Sequence, residues 1–274
     1  MKRRPIYLLG LAVLILSTLA CSLLGGGSSE ETVTVEESTS SREGSGSGED
    51  GPVVSSEETP ITEAGPCANT YYPVREGATW TYLDTSSLAE AVTFTDVISA
   101  VSEDGYTLTS QFDSLTRTQE WACTPEGLVA LQLGGGLSTA GSNLIVETQS
   151  ASGVTYPAEI NAGDTWQYAL DFTGTMVMAG ETGEAVGSTQ SNFTAIGVES
   201  VTIPAGTFDA MKVQVETTLD FIVTFQGSTV PINLTSSTTS WFVQNVGWVK
   251  SDSAGNFAGQ SYTETIELQS YNIP

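Results

Sequence analysis

Residues 211–225 read MKVQVETTLDFIVTF, and this stretch decides the fold class. The odd-numbered positions carry Met, Val, Val, Thr, Leu, Phe, Val and Phe, whereas the even-numbered positions are polar except for Ile222. A period of two sustained over this length predicts one long strand, or two strands joined at a bend, with an apolar face and a wet face. The chain is therefore expected to build its core on one face of a β-sheet.

Turn signals separate further stretches of the same kind. Gly227-Ser228 follows the opening stretch, and Val230, Ile232 and Leu234 continue the alternation beyond it, which predicts a long β-hairpin. Other turn signals occur at Glu103-Asp104-Gly105, Pro204-Ala205-Gly206 and Ala254-Gly255-Asn256. Helix signals are scarce after residue 67, and parallel strands would need connecting helices. We therefore expect an all-β, antiparallel domain.

Two aromatic motifs each occur twice. YPVREGATWTY begins at Tyr72 and YPAEINAGDTWQY at Tyr156, and both end in Gly-x-Thr-Trp-x-Tyr. WACTPEGLV begins at Trp121 and WFVQNVGWV at Trp241; both carry Gly six residues after Trp, and Val two residues later. The repeated order predicts two related halves, about residues 71–135 and 156–270. Such halves form either a strongly curved sheet or open barrel, which the long strands favour, or a two-sheet β-sandwich.

The rings of the first motif are the candidate ligand-stacking side chains. Residues two apart on a strand share a face, so each Trp-x-Tyr pair places two rings side by side. Such a pair can stack on a sugar or pack in a core, and the polar residues between the rings favour the core. The four candidates are Trp80, Tyr82, Trp166 and Tyr168.

The first 20 residues have the organisation of an export signal. Met1–Arg4 is basic, and an apolar run from Ile6 to Ala20 ends just before Cys21. The run is short for a membrane span, which needs about 20 residues, and has the length of a signal-peptide core. Ser17-Thr18-Leu19-Ala20 followed by Cys21 resembles the lipobox of bacterial lipoproteins. That resemblance implies cleavage before Cys21 and attachment of acyl chains such as palmitate. The protein is then expected in the cell envelope, tethered to a bacterial membrane through Cys21 without spanning it.

Residues 21–66 differ sharply in composition from residues 67–274. They are rich in Gly, Ser, Thr and Glu and nearly lack large apolar side chains. Such a segment cannot bury enough surface to offset its ordering entropy, so we expect a disordered acidic linker before a β-rich domain of residues 67–274.

Once Cys21 is assigned to the anchor, Cys67 and Cys123 remain. An exported chain meets an oxidising compartment, where an even pair most simply forms a disulfide. Two free thiols are the alternative.

Charge and composition exclude several classes of function. The chain has 32 acidic and 8 basic residues, which argues against nucleic acid as a partner. It has no histidine, which removes Ser-His-Asp and Cys-His nucleophiles and the commonest transition-metal ligand. We expect no catalytic residues, no metal and no cofactor. A hydrolase that uses only carboxylates is the remaining enzymatic alternative.

Three groups of residues carry a family resemblance. They are Tyr71-Tyr72-Pro73 with Gly77 and Trp80-x-Tyr82, VTIPAGTFDAMKV at 201–213, and VGWVK at 246–250. Together they resemble a widespread group of exported bacterial lipoproteins of unknown function and, more distantly, the LolA/LolB-like lipoprotein carriers. The carrier resemblance implies a curved sheet around an apolar cavity, and neither resemblance implies a catalytic residue.

These observations predict a membrane-tethered, non-catalytic β-rich module with a binding or structural role. Its ligand would be a protein, a glycan or an apolar small molecule. One alternative is a carrier or sensor that holds a lipid-like ligand in a curved-sheet cavity. The other alternative is a carbohydrate-binding module.

Overall fold

The computed structural model describes residues 67–113, 115–133, 142–178 and 180–274. The long strand predicted from sequence is part of its β-sheet. It is β10 (Gly206–Phe225), and its odd-numbered residues from Met211 are buried or partly buried while most even-numbered ones are exposed. β10 pairs with β11 (Ser228–Val243) around a turn in which Gln226 and Gly227 have φ of 48° and 82°. The predicted long hairpin is confirmed. The signal segment, Cys21 and the linker lie outside the described residues.

The other strands complete an antiparallel sheet. They are β1 (Thr79–Ser86), β2 (Val92–Ser99), β3 (Gly105–Gln111), β4 (Thr116–Thr124), β5 (Gly127–Ala130), β6 (Ser142–Gly153), β7 (Tyr156–Pro157), β8 (Thr165–Met178), β9 (Glu181–Ile203), β12 (Gly247–Phe257) and β13 (Gln260–Asn272). The strand order is β6-β8-β9-β10-β11-β12-β13-β1-β2-β3-β4-β5-β7. All the described strands belong to this one sheet, which is strongly curled into a half-barrel. The predicted all-β curved sheet is confirmed, and the two-sheet alternative is wrong.

The curl brings the two ends of the strand order together. The Val154 amide donates to the Gln167 carbonyl of β8 at 3.2 Å, and the Thr155 amide donates to the Leu128 carbonyl of β5 at 2.9 Å. β8 is next to one end of the sheet and β5 is next to the other. Residues 154–155 therefore join the two ends of the curled sheet.

The two halves have corresponding strands. The first motif opens β1 in one half and β8 in the other, each time after a glycine with positive φ, Gly77 at 79° and Gly163 at 92°. The second motif spans β4 and β5 in the first half and β11 and β12 in the second. The motifs thus fall on the first, fourth and fifth strands of two runs of five consecutive strands, β1 to β5 and β8 to β12.

Contacts between the halves are reciprocal. The Tyr82 hydroxyl donates to the Trp248 carbonyl at 2.9 Å, and the Tyr168 hydroxyl donates to the Ala130 carbonyl at 2.6 Å. The first-motif tyrosine of each half therefore bonds to the second-motif hairpin of the other half. A Cβ on Gly127 would lie 2.2 Å from the Tyr156 carbonyl oxygen, so this close approach requires glycine.

One predicted turn is misplaced. Ala254, Gly255 and Asn256 lie inside β12, paired with β11, and the chain reverses at Ala258 and Gly259. The Asn256 carboxamide oxygen accepts a hydrogen bond from the Gly259 amide at 2.9 Å, so Asn256 stabilises the turn immediately after it.

Candidate functional site

The first candidate site is the aromatic cluster where the halves meet. The Tyr72 ring stacks on Trp80, Tyr106, Trp121 and Tyr156, with ring centroids 6.0, 6.2, 5.8 and 4.9 Å away. Tyr72 precedes β1 and belongs to no strand. The space between the two halves is therefore occupied at this point by a side chain of the chain's own first described segment.

The four rings proposed from sequence lie within or against the core. Trp80 and Tyr82 are each 3% exposed and Tyr168 is 7% exposed, while Trp166 is partly buried and stacks on Phe193 at 5.0 Å. The Trp80 indole N–H donates to the Val246 carbonyl at 2.6 Å, and burial raises the pKa of Tyr168 to about 12. Their faces contact protein, which is the packing that the sequence favoured. A role in stacking on a ligand stays a hypothesis.

Sequence reasoning missed a buried carboxylate beside this cluster. Asp96 on β2 is 8% exposed and accepts a hydrogen bond of 2.5 Å from the Ser110 hydroxyl. Burial raises its pKa to about 6, against the effect of the Ser110 hydrogen bond. Burial and then the Asp96 carboxylate raise the pKa of Tyr82 and Tyr156. The sequence carried a signal for this carboxylate, because Asp96 occupies an inward position of the β2 alternation, between Phe94 and Ile98.

We expect Asp96→Asn to stabilise the protein at pH 7. The folded-state pKa of Asp96, about 6, exceeds the usual 3.8, so the folded protein binds this proton more tightly than the unfolded chain does. The stability that the bound proton contributes is fully present below about pH 4 and is lost as the pH rises through 6. At 1.36 kcal/mol per pKa unit, the difference between the two pKa values corresponds to about 3 kcal/mol of unfolding free energy. The asparagine keeps an oxygen that can accept the Ser110 hydrogen bond and does not titrate.

Urea unfolding at pH 4, 5, 6 and 7 measures this effect. The variant should match the wild type near pH 4 and exceed it by about 3 kcal/mol at pH 7. The exposed Asp209→Asn is the control and should change stability by less than about 0.5 kcal/mol. Parallel pH profiles for Asp96→Asn and the wild type would show that Asp96 is not the titrating group.

Cys67 and Cys123 form the predicted disulfide, with Cα atoms 4.8 Å apart. Cys67 is the first described residue, and Cys123 lies on β4. The bond therefore ties the segment that precedes β1 to β4.

The second candidate site is an open groove of about 420 Å³ on the long strands. Its lining is Asn192, Glu216, Thr217, Thr218, Thr235, Ser236, Ser237, Ala254 and Gly255. The carrier interpretation expects an enclosed apolar cavity, whereas this groove is open and carries hydroxyl, amide and carboxylate groups. No sequence motif indicated it, because its residues come from four strands.

The domain's two lysines lie on the same face of the sheet. The Nζ atoms of Lys212 and Lys250 lie 5.6 and 5.7 Å from the ring centroid of Trp241. Lys212 also pairs with Glu199 at 3.2 Å, and Lys250 pairs with Glu267 at 3.0 Å. Both ammonium groups are therefore neutralised by neighbours, and this face does not offer an anion an unpaired lysine.

Within the described ranges, no three Cys, Asp or Glu side chains gather so that they could hold a metal ion. The same residues contain no helix that is long and apolar enough to cross a membrane.

Comparison with solved structures gives distant likenesses. An exported protein with a YmcC-like fold from Bacteroides fragilis has 14% identity and a TM-score of 0.44, covering 75% of this chain and 100% of that one. A protein described as a lipoprotein from Parabacteroides distasonis has 15% identity and a TM-score of 0.39, covering 75% of this chain and 99% of that one. The hypothetical lipoprotein YmcC from Escherichia coli has 13% identity and a TM-score of 0.32, covering 72% of this chain and 85% of that one.

No curated protein matches the chain. The three structures above are described as an exported protein or as lipoproteins, and none is described as LolA or LolB. The carrier resemblance is thus not confirmed.

A family model does match part of the chain: residues 142–265, from the start of β6 into β13, are similar to the DUF3108-like family.

Proposed function

We propose that the protein is an extracytoplasmic lipoprotein, anchored to a bacterial membrane through Cys21, whose β-rich domain is a non-catalytic binding module. The apolar run that ends directly before Cys21 carries this proposal. The Cys67–Cys123 disulfide supports it, because structural disulfides form and persist in exported proteins. The linker of residues 21–66 would hold the domain away from the lipid surface.

Binding is favoured over catalysis by the chemistry of the two candidate sites. Beside the aromatic cluster, the buried Asp96 accepts a hydrogen bond from Ser110, and its charge acts on Tyr72, Tyr82 and Tyr156. The groove carries one carboxylate, Glu216, among hydroxyl and amide groups. Glycoside hydrolysis, the carboxylate-only chemistry that the sequence left open, needs two such groups placed across a substrate.

Metabolic labelling tests the anchor. The full chain, expressed in a bacterium with radiolabelled palmitate, should carry the label and sediment with membranes. Cys21→Ser should lose the label and leave the membrane fraction, because the sulfur is the site of acyl attachment. The double variant Cys67→Ser/Cys123→Ser is the matched control and should keep the label. Palmitate on the Cys21→Ser chain, or an unlabelled wild type, would contradict the proposal.

A carrier of an apolar ligand is the competing function. It needs an enclosed apolar space, whereas the groove is open and carries hydroxyl, amide and carboxylate groups, and the Tyr72 ring fills the centre of the aromatic cluster. Native mass spectrometry of the protein purified from its host distinguishes the two, because only a carrier should retain a lipid.

A further inference from the structure

The groove is built by strand register. Glu216 on β10 pairs with Asn192 on β9 and with Ser237 on β11, and Ser237 pairs with Ala254 on β12. Residues directly opposite in antiparallel strands share a face, so these four side chains form one row across four strands. Ala254, which ends this row, carries only a methyl side chain, and this leaves room above β12.

Hydrogen bonds orient the polar groups of this row. The Asn192 carboxamide oxygen accepts from the Gln167 and Gln190 amides at 2.8 and 3.4 Å, so its own NH2 group is left as a donor. The Ser237 hydroxyl donates to Glu216 Oε1 at 2.7 Å, which leaves Oε2 as an acceptor. Paired residues have Cβ atoms about 5 Å apart, so a donor and an acceptor stand side by side in the groove.

The chemistry around the row narrows the class of ligand. A net charge of −24 disfavours anions, and both lysines of this face are engaged by carboxylates. Hydroxyl and amide linings disfavour lipids. Adjacent hydroxyl groups on a sugar ring donate and accept at once, which matches a neighbouring amide donor and carboxylate acceptor.

We infer that the groove binds a neutral saccharide, with Asn192 donating to one hydroxyl and Glu216 accepting from its neighbour. This inference rests on the proposed role of the domain as a binding module and names its ligand class. The site lies on the solvent face of β9 to β12 and does not use the rings of the aromatic cluster.

Saturation-transfer NMR of the full chain in detergent micelles tests the inference. The probes are maltotriose, cellotriose, mannotriose and triacetylchitotriose. At least one should give saturable binding. Asn192→Ala and Glu216→Gln should each raise the Kd of the best probe at least tenfold, because each loses one oriented hydrogen-bonding group.

Glu184→Gln is the matched control. Glu184 is exposed on the same face of β9, eight residues from Asn192 and outside the groove lining, so its Kd should change less than twofold. Both groove substitutions are on exposed positions, and near-UV circular dichroism checks that the variants fold. Absence of saturable binding for all four probes, or full affinity in both groove variants, overturns the inference. Palmitate labelling reports on Cys21 separately, so a failed anchor and a failed groove give different results.

Discussion

Replacing Trp80 with alanine should lower the free energy of unfolding by about 3–5 kcal/mol. Trp80 is 3% exposed, stacks on Tyr72, and donates its indole N–H to the Val246 carbonyl of the other half. The substitution removes the ring, leaves a cavity at the junction of the halves and leaves a buried carbonyl without this donor. Urea unfolding followed by circular dichroism measures the loss.

Tyr271→Ala is the control for Trp80→Ala. Tyr271 is the register partner of Trp80 on β13, yet it is 41% exposed. Its truncation should cost less than about 1 kcal/mol. If Trp80→Ala cost no more than Tyr271→Ala, the ring would not be a core residue, and the ligand-stacking hypothesis for Trp80 would gain support.

Removing the disulfide should cost nearly as much. Cys67 and Cys123 are separated by 56 positions, and closing a loop of this length in the unfolded chain is worth about 4 kcal/mol in the loop-entropy model. Cys67→Ser/Cys123→Ser should therefore lose about 4 kcal/mol of unfolding free energy. Since small domains have only about 5–15 kcal/mol in total, this loss is a large share of the stability.

A reductant provides the internal control for the disulfide. It should lower the stability of the wild type to that of the double variant, and it should leave the double variant unchanged. Equal stability of the oxidised wild type and the double variant would mean that the bond does not constrain the unfolded chain.

Local alternation was enough to predict the sheet. Side chains on a strand alternate between faces, so Val213, Leu219 and Phe221 identified the inner face of β10 before any tertiary contact was known. The turn at Ala254-Gly255-Asn256 was misplaced because turn residues also occur inside strands. There, pairing of β12 with β11 determined the conformation instead.

The candidate sites were less accessible to sequence reasoning than the fold. The Trp-x-Tyr motifs were visible as repeats, but their reciprocal bonds to the opposite half depend on how the sheet curls. Asp96 could have been noticed as an acid at an inward position, although the tyrosines on which its charge acts, Tyr72 and Tyr156, come from other parts of the chain.

The sequence by itself determined the antiparallel β-class, because alternation is a local pattern. It predicted two related halves and a bond between Cys67 and Cys123, with two free thiols as the alternative for the cysteines. Only the tertiary structure decided that one curled sheet forms, that Tyr72 fills the junction of the halves, and that Asn192 and Glu216 stand together. The physical reason is register: a shift of one residue reverses the face of every side chain on a strand, and register depends on neighbours far away in sequence.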